Sequence, residues 1–228
     1  MSDSQTAADI DTVIAIIDDE ESVRNALVDQ LESMDRKAMA YASASEFLDS
    51  SEVSAPGCIL LDLQMPQMNG LDLQESLAQA GNRKPIVFMT GNASVNTSVH
   101  ALKAGAVDYL IKPFDCKSMI EAIDRALERD RQDRLEAAVR EQAMAFARKL
   151  TPREVEVMEF VSKGLMNKQI AFEMGISEIM VKLHRGRMMR KMKARSIPDI
   201  VRKFDQIKSA GLLSCLRTRN STAAMQEA

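Results

Sequence analysis

The sequence predicts two domains of different fold class, an α/β domain with a doubly wound parallel sheet and an all-α domain, joined by a long helical linker. Three observations support this prediction. Short apolar segments alternate with helical patterns in the first half, a stretch without Pro or Gly runs from Cys116 to Lys149, and the last third carries only helical patterns separated by turn residues. The composition, 46% hydrophobic and 28% charged, is sufficient for a packed core and excludes global disorder.

Five segments of the first half read as β-strands. They are residues 12–17, 37–42, 58–61, 85–90 and 107–111. Their side chains form continuous apolar runs, which is typical of strands buried on both faces. Helical patterns lie between them, through Leu27 and near 44–50, 70–80 and 94–104, and parallel strands require such crossovers. We therefore expect a five-stranded, flavodoxin-like parallel sheet.

Polar residues follow these strands at the points where the strands end. They are Asp18, Asp19, Glu20, Asp62, Thr90 and Lys112. The carboxyl ends of parallel strands meet at one edge of a sheet, so these side chains are expected to lie close together. Neighbouring carboxylates repel unless a cation lies among them, and Mg²⁺ takes oxygen ligands while leaving room for a phosphate oxygen. A lone aspartate after a strand is usually a turn residue, but four compatible strand ends favour a phosphoryl-accepting site with Asp62 as the nucleophile.

The stretch after Cys116 is unusually long for one helix of a compact domain. An apolar stripe lies early in it, at Ile120, Ile123 and Leu127, and another lies late, at Leu135, Val139, Phe146 and Leu150. We expect the last helix of the first domain to continue into a helical linker. A coiled-coil dimer seam along the same helix is the alternative.

The last third begins with a firm helix start. Thr151 is a predicted N-cap, Pro152 takes the first helical position, and Glu154 completes a capping box. Further helices are predicted at about 166–174, ending at Gly175, at 177–194 and at 196–208. The third helix carries many basic residues, and such a helix after a glycine turn is typical of a helix-turn-helix domain that enters the DNA major groove.

Charge divides the chain in the same way. Residues 1–125 contain 9 Lys and Arg against 20 Asp and Glu, whereas residues 151–228 contain 15 against 8. The basic part is suited to a polyanion and the acidic part to a cation. No apolar run approaches the roughly 20 residues that span a bilayer, so no membrane partner is expected. The polar N-terminus and the three unpaired Cys indicate a reduced, cytoplasmic protein without a disulfide framework or a zinc site.

Residues 12–125 resemble the receiver domain of bacterial two-component response regulators. The segments that carry the resemblance are "IIDDEESVR", "LLDLQMPQMNG", "FMTGN" and "KAGAVDYLIKPF". It implies that Asp62 is the phosphoacceptor, that Asp18, Asp19 and the main-chain carbonyl of Gln64 hold Mg²⁺, and that the bond before Pro113 is cis. It further implies that Lys112 contacts the phosphate and that Thr90 and Tyr109 form a switch pair, which alters the face that the receiver uses to dimerise.

The segment "LTPREVEVMEFVSKGLMNKQIAFEMGIS" with "VKLHRGRMMRKMKARS" resembles the LuxR-type helix-turn-helix of the NarL/FixJ response regulators. The resemblance implies base contacts from Lys182 and Leu183, phosphate contacts around Asn167, Lys168 and His184, and dimerisation near Pro198–Val201. Charge and helical phase add Arg187 and Arg190 as phosphate contacts. Met180 and Gly186 depart from the family pattern, so sequence preference is not carried over from relatives.

The expected organisation is a disordered segment at 1–11, a receiver at 12–125, a helical linker at 126–150, a helix-turn-helix domain at 151–208 and a flexible tail at 209–228. The expected function is that of a transcription factor. A sensor histidine kinase phosphorylates Asp62, the protein dimerises, and it binds double-stranded promoter DNA and activates transcription with RNA polymerase. We expect no enzyme beyond the receiver's own phosphorylation and dephosphorylation. The alternatives are a phosphotransferase with an aspartyl intermediate, and a regulator that binds DNA or protein independently of phosphorylation.

Overall fold

The computed structural model describes residues 12–91 and 101–211. The chain divides between Arg134 and Leu135 into two compact units. The N-terminal unit is α/β and the C-terminal unit is helical, as the sequence predicts.

The described residues of the N-terminal unit form a parallel sheet of five strands in the order β2-β1-β3-β4-β5. The strands are β1 Val13–Ile17, β2 Ala38–Tyr41, β3 Gly57–Asp62, β4 Ile86–Thr90 and β5 Asp108–Ile111. All five predicted strands are confirmed. The order reverses between β1 and β3, which places the switch point of the doubly wound fold beside the ends of these two strands.

The described residues before the long helix include a 3-10 helix at Ser51–Val53, a helical segment at 101–103 and three complete α-helices. The α-helices are α1 Glu21–Glu32, α2 Ala44–Leu48 and α3 Gly70–Gln79. Local sequence determines where two of them begin, because Ser43 caps α2 and Asn69 forms a capping box with Asp72 at the start of α3. Most of the predicted helix at 94–104 lies outside the described residues, which resume at 101.

Hydrophobic cores cover both faces of the sheet. Alternate strand residues point to opposite faces, so Ile16, Leu60 and Met89 belong to one core while Leu61 and Phe88 belong to the other. The strand residues of the three central strands are all buried, which explains their continuous apolar sequence.

The long helix α4 spans Cys116–Ala147 without interruption, as predicted. Its first part packs on the sheet through Met119 and Ile123. Further along, the buried Asp130 carboxylate accepts hydrogen bonds from Gly57 N at 3.0 Å and Arg134 Nε at 2.8 Å. The α/β unit therefore extends to Arg134, into the segment 126–150 that was predicted to be the linker.

The late apolar stripe of α4 is only partly buried. Leu135 and Val139 are 55% and 44% exposed, whereas Ala143 and Phe146 are buried in the core of the C-terminal unit. The coiled-coil alternative stays a prediction.

Up to residue 211, where the described part of the chain ends, the C-terminal unit contains four further helices. They are α5 Pro152–Ser162, α6 Asn167–Met174, α7 Glu178–Lys191 and α8 Ile197–Ser209. The predicted capping box of α5 is confirmed, since Glu154 Oε2 accepts from Thr151 N at 2.8 Å. Gly175 ends α6 in the left-handed conformation at φ 63°, where glycine is favoured, and the chain then turns into α7. Within the described part of the chain, no helix combines the length and apolarity that a membrane span requires.

Candidate functional site

Two buried carboxylates and one lysine meet at the carboxyl edge of the sheet. Asp18 follows β1, Asp62 ends β3, and Lys112 follows β5. Lys112 Nζ lies 2.6 Å from Asp18 Oδ2 and 2.8 Å from Asp62 Oδ1. The structure thus brings together three of the residues predicted at the strand ends, and the Lys112 ammonium is the positive charge that allows the two carboxylates to lie side by side.

Backbone groups hold both carboxylates in place. Glu20 N donates to Asp18 Oδ1 at 2.9 Å, and Gln64 N donates to Asp62 Oδ2 at 2.8 Å. Arg24 Nη1 donates to the Asp18 main-chain carbonyl at 2.8 Å, a contact that sequence reasoning missed. Each carboxylate oxygen has one donor and a second lone pair that can accept another ligand.

The loop after Asp62 requires a glycine at its far end. Gly70 N donates to Leu63 O at 3.1 Å, so α3 begins directly against the end of β3. A Cβ at residue 70 would lie 2.7 Å from the Asp62 main-chain oxygen and 2.9 Å from the Phe88 ring. A side chain at this position would displace the backbone that presents the Asp62 carboxylate.

Burial and charge shift the acidity of this cluster. Burial raises the pKa of the Asp62 carboxyl above its ordinary value of 3.8, and the hydrogen bond from Lys112 opposes the rise. Burial alone would lower the pKa of Lys112, but its hydrogen bonds to Asp18 and Asp62 outweigh that effect and raise it. Lys112 is therefore a permanent cation at neutral pH, beside a carboxylate that is only partly hydrated.

The predicted metal ligands are only partly assembled. Asp19 is exposed, and among the described residues no group of three or more His, Cys, Asp and Glu side chains converges as a metal site. The donor chemistry nevertheless fits Mg²⁺, because Asp18 and Asp62 supply hard carboxylate oxygens with free lone pairs at one edge. The full set of Asp18, Asp19, Asp62 and the Gln64 carbonyl stays a prediction.

The predicted switch pair lies on the last two strands. Thr90 is fully buried at the end of β4, and its carbonyl accepts from Lys112 N at 2.7 Å. The Tyr109 ring packs against the core that contains Phe88. The Tyr109 hydroxyl is buried and has no hydrogen-bond partner among the described residues. The peptide bond between Lys112 and Pro113 is cis, as predicted.

The second candidate site is the surface formed by α6 and α7. Most of the residues predicted to contact DNA are exposed there, namely Lys168, Lys182, Leu183, Arg187 and Arg190, whereas Asn167 and His184 are half-buried. Met188 and Met192 are fully buried and attach α7 to the core, so its basic side faces solvent. Leu183 is 42% exposed on that basic side and is therefore not a core residue.

Two contacts of α7 were missed by sequence reasoning. Arg185 Nη1 donates to Asn167 Oδ1 at 2.8 Å, which connects α7 to the first residue of α6. Lys191 Nζ lies 2.7 Å from the buried Glu154 Oε2, which connects the end of α7 to the capping box of α5. The basic side chains of α7 therefore do not all face solvent. In the sequence, only their positions around the helix could have distinguished the exposed ones from those that bind other helices.

Two family models match the chain. Residues 14–124 match the response regulator receiver domain, and residues 148–204 match the LuxR family of bacterial regulatory proteins. Receiver domains generally bind Mg²⁺ at their phosphorylation site and receive phosphoryl groups from histidine kinases, and LuxR-type domains bind DNA.

Relatives align with nearly the whole chain. Nodulation protein W of Bradyrhizobium diazoefficiens is 39% identical over 197 residues, which cover 86% of this chain and 87% of the relative. The transcriptional regulatory protein FixJ of Azorhizobium caulinodans is 37% identical over 189 residues, covering 83% and 90%. The solved structure of the response regulator StyR matches with a TM-score of 0.80 and 36% identity, covering 86% of this chain and 99% of that one. The chain therefore belongs to the NarL/FixJ family of two-component response regulators, with a receiver domain followed by a LuxR-type DNA-binding domain.

Proposed function

We propose that this response regulator is phosphorylated on Asp62 by a sensor histidine kinase and that phosphorylation promotes its dimerisation and binding to promoter DNA. The observation that carries the proposal is the contact of Lys112 Nζ with both Asp18 and Asp62. It combines a buried nucleophilic carboxylate, an acidic neighbour and a cation at the switch point of the sheet.

In the proposed transfer, an oxygen of Asp62 attacks the phosphorus of the kinase phosphohistidine. A P–O bond forms as the P–N bond breaks, and the histidine nitrogen leaves with the bonding electron pair. Lys112 then interacts with a phosphoryl oxygen, which removes part of its attraction to Asp62. The predicted ligands Asp18, Asp19, Asp62 and the Gln64 carbonyl would hold Mg²⁺, which would supply positive charge for the phosphoryl oxygens.

The proposed switch uses Thr90 and Tyr109. A phosphoryl group adds three strong acceptor oxygens, and the Thr90 side chain, at the adjacent strand end, reorients to donate to one of them. The Tyr109 ring moves with it, because the two residues lie on neighbouring strands. The Tyr109 hydroxyl, for which residues 12–91 and 101–211 supply no partner, supports this role, since a buried donor without an acceptor favours any state that gives it one.

The proposed DNA interface is the exposed side of α7 with the start of α6. Lys182 and Leu183 contact base edges, and Asn167, Lys168, His184, Arg187 and Arg190 contact phosphates. Gly186 supports this assignment. A Cβ there would meet nothing within 4 Å, so no internal contact requires the glycine, whereas close approach of a duplex to the α7 backbone would.

The proposed dimer contact of the DNA-binding domain lies on α8. A shallow hollow of about 740 Å³ runs along this helix, lined by Ile197, Pro198, Val201, Arg202, Asp205 and Gln206. Its apolar residues, among them Ile197 at 45% exposure, are suited to burial against a second copy. On DNA, the dimer activates transcription with RNA polymerase as its partner; the relative FixJ is likewise a transcriptional regulatory protein.

Phosphorylation at Asp62 is tested with acetyl phosphate and Mg²⁺, with intact-mass measurement of the full chain. The wild type and Asp29→Asn, a control that changes an exposed aspartate of α1, are expected to gain one phosphoryl group. Asp62→Asn is expected to gain none, because the amide lacks the nucleophilic oxygen. Equal labelling of Asp62→Asn would contradict the proposal.

A further inference from the structure

Arg185 differs from the exposed basic residues of α7 in where its charge is held. It is half-buried, and its Nη1 donates to Asn167 Oδ1 at 2.8 Å, whereas Lys182, Arg187 and Arg190 are exposed. Asn167 is the first residue of α6 and lies next to the exposed Lys168. A side chain of α7 thus determines the orientation of an amide at the start of α6.

The direction of the Asn167 amide follows from the chemistry of its partner. A guanidinium has only donors, so the atom that faces it must be the amide oxygen. The NH₂ group of a planar amide then points away from the arginine, with two N–H donors. The backbone N–H groups in the first turn of α6 have no acceptor within their own helix, and such groups favour an anion.

We infer that Arg185 is a positioning residue for DNA binding: it holds the Asn167 side chain so that its NH₂ group donates to a backbone phosphate of the duplex. The inference rests on the proposed function, because it requires the α6–α7 surface to be the DNA interface. Arg185 itself does not contact the phosphate. The alternative is that Arg185 contacts the DNA directly, or that its bond to Asn167 only joins the two helices.

The salt dependence of binding distinguishes these roles. A cationic side chain that neutralises a phosphate releases counterions, and each such contact contributes about 0.9 to the slope of log affinity against log salt concentration. Asn167 is neutral and releases none. Loss of Arg185 should therefore weaken binding without changing the slope, whereas loss of a direct phosphate contact such as Arg187 should reduce the slope by about 0.9.

The experiment measures binding of the full chain, with Mg²⁺ and the phosphoryl mimic beryllium fluoride present, to a fluorescent random-sequence DNA duplex over a series of KCl concentrations. A random sequence is suitable because phosphate contacts do not depend on base sequence. The variants are Arg185→Gln, Asn167→Ala and the double variant, with Arg187→Gln as the comparison for a direct contact. Arg153→Gln, which removes an exposed arginine of α5, is the control for the loss of one charge.

Arg185→Gln and Asn167→Ala are each expected to weaken binding roughly three- to tenfold, the effect of one ordinary hydrogen bond. The double variant is expected to bind no more weakly than Asn167→Ala, and both single variants should retain the wild-type salt slope. A reduced slope for Arg185→Gln, or additive losses in the double variant, would overturn the inference. Absence of duplex binding by the wild type would instead overturn the proposed function.

Asn167→Asp provides a second test that does not depend on the folding of Arg185→Gln. It keeps the contact with Arg185, now as an ion pair, but replaces the NH₂ donor with an anion. If the amide faces a phosphate, this variant should bind the duplex more weakly than Asn167→Ala. Equal or tighter binding would show that residue 167 does not face the DNA.

Discussion

At the scale of single residues, Lys112 determines the resting state of the receiver site. Its ammonium lies within hydrogen-bonding distance of both Asp18 and Asp62, two carboxylates that are almost completely buried. The three side chains together carry one net negative charge. This single net charge keeps repulsion in the unphosphorylated cluster small. A divalent cation and a phosphoryl group can also bind there together, because their charges largely cancel and the net charge changes little.

The two tyrosines of the chain make a matched pair for testing the switch residue. The Tyr109 hydroxyl is buried without a partner among the described residues, whereas the Tyr41 hydroxyl donates to Glu52 Oε2 at 2.9 Å. Tyr109→Phe removes a polar group that is buried at a cost, so the free energy of unfolding of the receiver should rise by about 1 kcal/mol. Tyr41→Phe should lower it by a similar amount. Urea unfolding of the full chain, followed by circular dichroism, measures both.

A decrease in the free energy of unfolding for Tyr109→Phe would contradict this prediction. A loss of stability as large as that of Tyr41→Phe would mean that the Tyr109 hydroxyl already has an acceptor in the resting protein. Phosphorylation would then offer this hydroxyl no gain in hydrogen bonding, and the proposed movement of the Tyr109 ring would lose that driving force.

At the scale of secondary-structure elements, Glu154 connects α5 with α7, a contact that no local sequence pattern predicts. Its side chain completes the capping box of α5 and also accepts from Lys191 Nζ at 2.7 Å, at the end of α7. Burial opposes the ionisation of Glu154, but the hydrogen bonds from Lys191 and Thr151 outweigh it and hold its pKa below the ordinary value of 4.5. The end of α7 is thereby attached to α5, the first helix of the DNA-binding domain.

Glu154→Gln isolates this ion pair, because Gln at the same position preserves the capping box. At pH 7 the substitution should lower the free energy of unfolding of the DNA-binding domain by about 1.5–3 kcal/mol. Since the pKa of Glu154 is lower in the folded than in the unfolded chain, its contribution is complete above the ordinary value of 4.5 and is lost as the pH falls through the folded value. The difference between variant and wild type should therefore shrink in acid.

Hydrogen exchange of the α5 and α7 amides in the full chain measures this difference at each pH. Glu156→Gln is the matched control, since Glu156 forms an exposed pair with Arg153 on the same helix and should cost less than 1 kcal/mol. A pH-independent effect of Glu154→Gln would show that packing, and not charge, accounts for it.

Most elements and the centre of the receiver site could be predicted from sequence because their signals are local. Apolar runs mark buried strands, Thr151 marks a helix start, and the polar residues at the strand ends converge once the sheet is parallel. The contacts that were missed join groups distant in sequence, such as the Arg185 side chain with that of Asn167, and the Asp130 carboxylate with the main-chain N–H of Gly57. No local pattern encodes these pairs, because they depend on how two packed elements are rotated against each other.

At the scale of the whole molecule, function requires that two units of opposite charge respond to one event. The receiver is acidic and the DNA-binding domain is basic, as their Asp, Glu, Lys and Arg content shows. Phosphorylation adds about −1.5 to −2 charges to the receiver, so it does not by itself increase attraction to DNA. Any gain in DNA affinity must come from a conformational or oligomeric change that the modified receiver favours.

The most direct test measures the affinity of the full chain for a DNA duplex with and without beryllium fluoride, a phosphoryl mimic, in the presence of Mg²⁺. We expect the mimic to raise the affinity by roughly 5- to 150-fold, the usual range of coupling between two sites, and to convert the protein to a dimer in the same solution. Asp62→Asn should show neither change. Equal affinity with and without the mimic, in a protein that binds DNA, would contradict control of this regulator by phosphorylation of Asp62.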